Sequence, residues 1–141
     1  MTNRSEKRIL SNFRFKANQT RSLVDIVRAG IPTSNAITFL RSACTSVPFE
    51  IMINVAGISK RTLDRRRGKK LRPDQSDRLV RIARLIDFAE ESIGTREQAL
   101  TWLNVPNRSL HGVRPIEILD TDAGTKQVET VLGRLREGSV A

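Results

Sequence analysis

The sequence has little of what catalysis, disulfide bonding or membrane insertion requires. It contains one cysteine, one histidine, one tryptophan and no tyrosine, and aromatic residues make up 4% of the chain. A single cysteine excludes an internal disulfide and is compatible with a reducing cytoplasm. No apolar run approaches the length of a membrane-spanning helix, and the polar, basic start does not resemble a secretory signal. We therefore expect a cytoplasmic protein with no membrane partner.

Candidate catalytic groups are equally scarce. His111 lies in a loop, without a cysteine or carboxylate at the spacing of a metal site, and is expected to be a surface residue. Cys44 follows an apolar helix and Trp102 belongs to an apolar helix face, so both are predicted core residues. Gly57 and Gly68 are too isolated to form a phosphate-binding loop. The sequence predicts no catalytic residues, no metal site and no cofactor.

Charge is unevenly distributed along the 141 residues, whose formal net charge is +10. Residues 1–94 hold 19 Lys and Arg against 9 Asp and Glu, a net of +10, whereas residues 95–141 hold 6 of each. A basic portion beside a neutral one suggests a polyanion-binding domain fused to a module with another task.

The basic portion is predicted to be a helix-turn-helix DNA-binding and dimerisation domain over residues 20–94, preceded by a flexible basic arm over residues 1–19. Its longest helix begins at Pro73 and has one apolar face at helical spacing. The residues of that face are Leu79, Ile82, Ile86 and Ala89. Gly94 breaks the pattern, and we place the domain boundary there.

The second domain, residues 95–141, is predicted to be small and helical. Thr95 begins a capping box, Pro115 opens a short helix, and the last helix runs from Asp122 to Arg136. The apolar residues of this last helix are expected to divide between the domain core and an interface: Val128, Val131, Leu132 and Leu135. Since no β-strand pattern and no internal repeat are present, the predicted fold class is all-α.

The strongest local signal is the basic segment Lys60–Arg72, in which eight of thirteen residues are Lys or Arg and one is Asp. An apolar helix precedes it, Gly57 can form a tight turn, and Ser59 is a good N-cap, which is the pattern of a helix-turn-helix. The second helix of such a motif enters the major groove of DNA. The residues predicted to bind operator DNA are Ser59, Lys60, Arg61, Thr62, Arg65, Arg66, Arg67, Lys69 and Lys70.

Within this set the roles are expected to differ. Lys60, Arg61 and Arg65 are best placed for base edges or nearby phosphates, and the later cations for the DNA backbone, where contacts position the protein without specifying sequence. Leu63 should anchor the helix to the core. Arg66 occupies the place where a longer recognition helix has a second apolar anchor. The alternative for any such run is a solvated basic face without a partner.

The basic segment and the second domain together resemble the Xre/MbcA/ParS antitoxins. In the first domain the resemblance rests on residues 59–66, Leu71, residues 76–79 and residues 81–84. In the second it rests on Ala99, Trp102, Leu103, Pro106, Asn107, Ser109, Leu110, Gly112, Pro115, Leu119, Thr121, Gly124, Val128, Leu132, Arg134 and Gly138. It covers about residues 20–138. His111 departs from the pattern, in which a second glycine is commoner before Gly112.

The resemblance, and not the charge pattern, implies a partner protein. It implies a type II antitoxin that is not itself an enzyme and that neutralises a RES-domain toxin, an enzyme that consumes NAD. Such antitoxins cover the entrance to the toxin's NAD site and form dimers or higher hetero-oligomers with the toxin. Many also repress their own operon, so operator DNA is the second implied partner. A homodimeric helix-turn-helix regulator without a toxin is the alternative.

Two segments of the second domain are candidates for toxin contact. The end of the chain supplies carboxylates at Glu137 and Ala141, which would suit a pocket that accepts an anionic pyrophosphate, and the loop from Asn107 to Arg114 supplies a second contact. The alternative is a chain end that contacts nothing. The predicted toxin-binding residues are Asn107, Leu110, Gly112, Arg114, Val131, Arg134, Leu135, Glu137 and Ala141.

Overall fold

The computed structural model describes residues 4–15 and 22–138, which form eight α-helices and two short 3-10 turns. The helices are α1 (Arg4–Asn12), α2 (Leu23–Ala29), α3 (Thr33–Ser42), α4 (Phe49–Ala56), α5 (Lys60–Arg65), α6 (Pro73–Ile93), α7 (Arg96–Leu103) and α8 (Asp122–Arg136). The 3-10 turns span Arg108–Leu110 and Pro115–Ile118. The predicted all-α class is confirmed. None of the helices in the described ranges is long and apolar enough to cross a membrane.

Helix α6 is the element on which both halves of the chain pack. It contacts α1, α2 and α4 from the first half and α7 and α8 from the second. Its predicted apolar face is confirmed, since Leu79, Ile82, Ile86 and Ala89 are all buried. One continuous apolar cluster includes residues from α1 through α8. The two halves therefore share a core, and the division at Gly94 stays a prediction.

The N-terminal segment is helical where a flexible arm is predicted. Residues 4–12 form α1, and Ile9, Leu10 and Phe13 are buried. The Phe13 ring packs against Phe39, with ring centroids 4.7 Å apart. The structure thus corrects the prediction for residues 4–15, which followed the charge of the segment and overlooked three apolar residues that share one helical face. Residues 1–3 and 16–19 of that arm lie outside the described residues.

Within the described residues, four helices begin at side-chain N-caps, two of which the sequence predicts. The hydroxyl groups of Ser22, Ser59, Thr95 and Thr121 each accept a hydrogen bond from the backbone N–H three residues on. Such a cap satisfies one of the backbone donors that a helix leaves unpaired at its start. The predicted starts at Ser59 and Thr95 are confirmed.

Helix α8 passes very close to the second 3-10 turn at Gly124. A Cβ atom at this position would lie 1.8 Å from the carbonyl oxygen of Ile118. At Gly133, on the same helix, a Cβ atom would meet no atom within 4 Å. Glycine at position 124 is therefore what allows the helix backbone to approach the turn.

Replacing Gly124 with Ala is expected to lower the free energy of unfolding by about 1–3 kcal/mol, because the new methyl group overlaps a backbone carbonyl that cannot easily move. Gly133→Ala is the matched control and is expected to raise it by up to about 1 kcal/mol, since Ala is the better helix former. Denaturant unfolding of the two variants measures both effects. Shifts of the same sign would contradict the close approach.

Candidate nucleic-acid and partner-protein surfaces

Helices α4 and α5 form the helix-turn-helix unit that the sequence predicts. Gly57 ends α4 in the left-handed conformation, with φ of 69°. Ser59 caps α5 by accepting from the Thr62 N–H at 3.0 Å, and the two hydroxyl oxygens also lie 3.0 Å apart. The Ser59 and Thr62 hydroxyls are therefore engaged in fixing the start of α5. Leu63 is 4% exposed, which confirms its predicted role as the anchor of this helix.

Three cations of the basic segment are paired with acidic residues of the same chain, and the last of them, Arg72, lies 3.0 Å from Asp74 at the start of α6. Lys60 Nζ lies 3.2 Å from Glu50 Oε1, and an Arg67 guanidinium nitrogen lies 3.3 Å from Asp64 Oδ1. All four side chains are largely exposed, and exposed ion pairs contribute little to stability. Lys60 and Arg67 can therefore exchange these partners for phosphate at low cost.

The remaining cations of the segment fall into two groups. In the part of the chain that the structure describes, Arg61, Arg65, Lys69 and Lys70 are exposed and form no ion pair. Arg66 is instead half-buried and donates from Nη1 to the Lys70 carbonyl oxygen at 3.1 Å. Arg66 is also the C-cap of α5, and its hydrogen bond to Lys70 joins the end of this helix to the following loop.

A cluster of charged and polar side chains, which sequence analysis missed, joins α1, α6 and α7. Asp87 is 7% exposed and accepts hydrogen bonds from Asn12 Nδ2, 3.0 Å from each carboxylate oxygen. Arg8 lies 3.7 Å from Asp87 and also pairs with Glu91, and Arg96 donates to Asn12 Oδ1 at 3.0 Å. Burial raises the pKa of Asp87 and lowers the pKa of Arg96. A prediction of α1 as a helix would have placed Arg8 and Asn12 on one face.

The loop between α7 and the second 3-10 turn is held rigid by its own hydrogen bonds. The Asn107 N–H donates to the Val113 carbonyl at 3.0 Å, and the Gly112 N–H donates to the Asn107 carbonyl at 2.9 Å. Asn107 Oδ1 accepts from the Ser109 N–H at 2.8 Å. Asn107 and Leu110 are 8% and 6% exposed, so the structure corrects their assignment to the contact surface: they shape the loop. Gly112 is exposed.

The other predicted toxin-binding residues also divide between core and surface. Val131 is 3% exposed and belongs to the core, so its assignment to the interface is corrected. Leu135 and Arg114 are half-buried, and Arg134 and Glu137 are exposed, so these four remain candidates. Ala141 lies outside the described residues.

Two residues predicted to be core are only partly buried. Trp102 lies with Ile93 and Val105 along a shallow groove of about 480 Å³, and Val105 is 51% exposed. Cys44 is half-buried, with its Sγ 3.2 Å from the Leu40 carbonyl oxygen. Burial raises the pKa of the Cys44 thiol, which disfavours the reactive thiolate form.

Comparison with known proteins identifies both halves of the chain. Residues 22–84 match the antitoxin Xre-like helix-turn-helix domain, and residues 88–138 match the antitoxin Xre/MbcA/ParS C-terminal toxin-binding domain. An antitoxin Xre of Yersinia enterocolitica is 32% identical over 66% of this chain and 65% of its own length. An antitoxin Xre of Photorhabdus laumondii is 36% identical over 64% of this chain and 63% of its own. The chain thus spans just under two thirds of these relatives.

A third relative aligns over a larger share of the chain. The Prs ADP-ribosylating antitoxin of Sphingobium sp. is 28% identical over 92% of this chain and 89% of its own length.

His111 provides a test of the loop geometry. Its φ is 57°, a left-handed conformation that costs a non-glycine residue about 1–2 kcal/mol. His111→Gly is expected to raise the free energy of unfolding by up to about 1 kcal/mol, the gain being limited by the larger entropy that glycine loses on folding. His111→Ala keeps the strain and is the control. Thermal unfolding compares them, and equal shifts for the two variants would contradict a strained backbone at this position.

Proposed function

The chain belongs to the Xre/MbcA/ParS antitoxin family, and we propose that it is the non-catalytic antitoxin of a type II pair that neutralises a RES-domain, NAD-consuming toxin. The observation that carries this proposal is the match of residues 88–138, a part with no excess positive charge, to a toxin-binding domain. The name of the Sphingobium relative supports a connection with ADP-ribosylation, a reaction that draws on NAD.

The proposed mechanism is steric occlusion of the toxin's NAD entrance by the second domain. Its exposed contacts come from the loop at Gly112 and from Arg134 and Glu137 near the end of α8. A loop already fixed by internal hydrogen bonds loses little conformational entropy on binding. The Glu137 carboxylate and the residues that follow it up to Ala141 are proposed to satisfy groups that otherwise hold the pyrophosphate of NAD.

The helix-turn-helix is proposed to hold operator DNA, through which the antitoxin represses its own operon. Support comes from the exposed cations of α5 and the following loop, where Arg61, Arg65, Lys69 and Lys70 present unpaired charge within the described chain. Guanidinium and ammonium groups of this kind neutralise DNA phosphates and release counterions.

The second candidate is a homodimeric helix-turn-helix regulator without a toxin partner, favoured by the same basic surface. Co-expression with the neighbouring reading frame separates the two functions. A stable complex in which NAD consumption by the partner is suppressed supports the antitoxin. A lone homodimer that leaves NAD consumption unaffected supports the regulator.

Alanine at Arg61, Arg65, Lys69 and Lys70 together is expected to abolish promoter binding at moderate salt. Each lost phosphate contact should reduce the slope of log affinity against log salt by about 0.9. Glu50→Gln is the opposing control, because it releases Lys60 from its ion pair and should maintain or raise affinity. Fluorescence anisotropy with a labelled promoter duplex over a salt series measures both. Undiminished binding by the four-alanine variant would refute the assignment.

Truncation of the chain after Gly138 tests the proposed occlusion of the toxin's NAD entrance more specifically than truncation after Leu135. The shorter chain would also lose Arg136, which lies 3.8 Å from Glu91 and 5.9 Å from the Phe88 ring centroid, so packing and toxin contact would be lost together. Removing only residues 139–141 is expected to raise the concentration needed for half-inhibition about tenfold, or about 1.4 kcal/mol. The readout is NAD consumption by the toxin.

Arg114→Glu is the matched variant for the loop, and it too is expected to weaken inhibition because it reverses a charge beside the exposed Gly112. Lys126→Ala, on the exposed part of α8, controls for a change of surface charge. Full inhibition by both the shortened chain and the loop variant would contradict the proposed contact surface.

A further inference from the structure

The side chain of Arg78, on α6, lies against the turn of the helix-turn-helix at Gly57. It lies in the second turn of α6, outside the basic segment. A Cβ atom built on Gly57 would lie 2.1 Å from Arg78 Nη1 and 3.3 Å from its Cζ. Gly57 is two residues before Ser59, the N-cap of α5. The guanidinium of Arg78 therefore occupies the space that a side chain at position 57 would fill.

The guanidinium of Arg78 differs from those of its neighbours in having no acidic partner. Arg72 pairs with Asp74 at 3.0 Å, and Arg81 lies 3.7 Å from Asp77. Arg78 is exposed, and among the described residues it forms no ion pair and donates no hydrogen bond. Its five N–H donors form a planar fork that matches phosphate oxygens.

We propose that Arg78 is a DNA-phosphate contact beside α5, and that position 57 is glycine so that this guanidinium can lie against the turn. The inference rests on the proposed DNA binding. It adds a second helix to a surface otherwise confined to residues 59–70. Because Leu79 and Ile82 next to it are buried, Arg78 stands on a helix that is fixed relative to α5. A phosphate contact held in this way sets the orientation of α5 on the duplex without reading sequence.

The test measures binding of the full chain to a fluorescein-labelled duplex of mixed sequence, about two helical turns long, over a salt series. Arg78→Gln is expected to lower affinity severalfold and to reduce the log–log salt slope by about 0.9, the value for one phosphate. Arg78→Lys keeps the positive charge and should retain most of the slope. Arg84→Gln removes the same charge from an exposed position further along α6 and should leave the slope unchanged.

Gly57→Ala tests the geometry without changing the charge. It should displace the guanidinium and lower affinity, and combining it with Arg78→Gln should cause no further loss, since both changes remove one contact. Gly68→Ala shares the left-handed strain, with φ of 73°, but its Cβ atom would meet no atom within 4 Å. The loss of thermal stability of Gly68→Ala therefore measures the effect of left-handed backbone strain alone.

The outcomes separate this inference from the function on which it rests. An unchanged affinity and slope for Arg78→Gln, while the four-alanine variant of the basic segment loses binding, would overturn the role of Arg78 and leave DNA binding intact. Additive losses in the double variant would overturn the link between Gly57 and Arg78. Failure of the unaltered chain to bind any duplex would overturn the DNA-binding function itself.

Discussion

Burial of the apolar face of α6 is the interaction on which the rest of the structure depends. Ten of the 21 residues of this helix are buried, among them Leu79, Ile82, Leu85 and Ile86. Each side chain of this size stabilises the fold by about 1.5–3 kcal/mol when it leaves water. Helices from both halves pack on this one element, so its apolar face contributes to the core of each half.

The same packing fixes the cations that are proposed to meet DNA. The loop after α5 is joined to the connection between α2 and α3 by hydrogen bonds from the Leu71 N–H to the Ile31 carbonyl at 2.9 Å and from the Thr33 N–H to the Lys69 carbonyl at 3.0 Å. The buried Ser76 hydroxyl of α6 accepts from the Ile31 N–H at 2.9 Å. Exposed lysines on a free loop would have to be ordered on binding, whereas here the backbone that carries them is already in place.

Much of the fold follows from the sequence because its helix boundaries have local causes. Ser59 and Thr95 cap helices through side chains one turn away, and Pro73 suits only the first turn of a helix, so short stretches of sequence decide these boundaries.

The predictions that the structure corrects concern which residues cover the apolar face of a helix. This coverage depends on residues far away in the chain. Periodicity marks Val131 and Trp102 as apolar, but only the packed structure shows that Val131 is enclosed and that Trp102 lies beside an open groove. Helix α1 was missed because its charges outnumber its apolar residues, although the buried Phe13 that follows it contacts Phe39. The candidate site divides in the same way: the basic segment is a local pattern, whereas the approach of Arg78 to Gly57 joins two separate helices.

The positions of α5 and of the end of α8 along α6 bear on how one chain would hold the two proposed partners. Arg78 lies near the start of the helix, beside α5, and Glu91 lies near its end, within 3.8 Å of Arg136 of α8. The two positions are thirteen residues apart along the helix, which corresponds to about 20 Å at 1.5 Å per residue. That separation exceeds the Debye length of about 8 Å at physiological salt, so charge at one surface is largely screened from the other. On the proposed function, α6 would therefore hold the DNA contact at Arg78 and the toxin contacts near the end of α8 far enough apart that the two do not compete for the same charges.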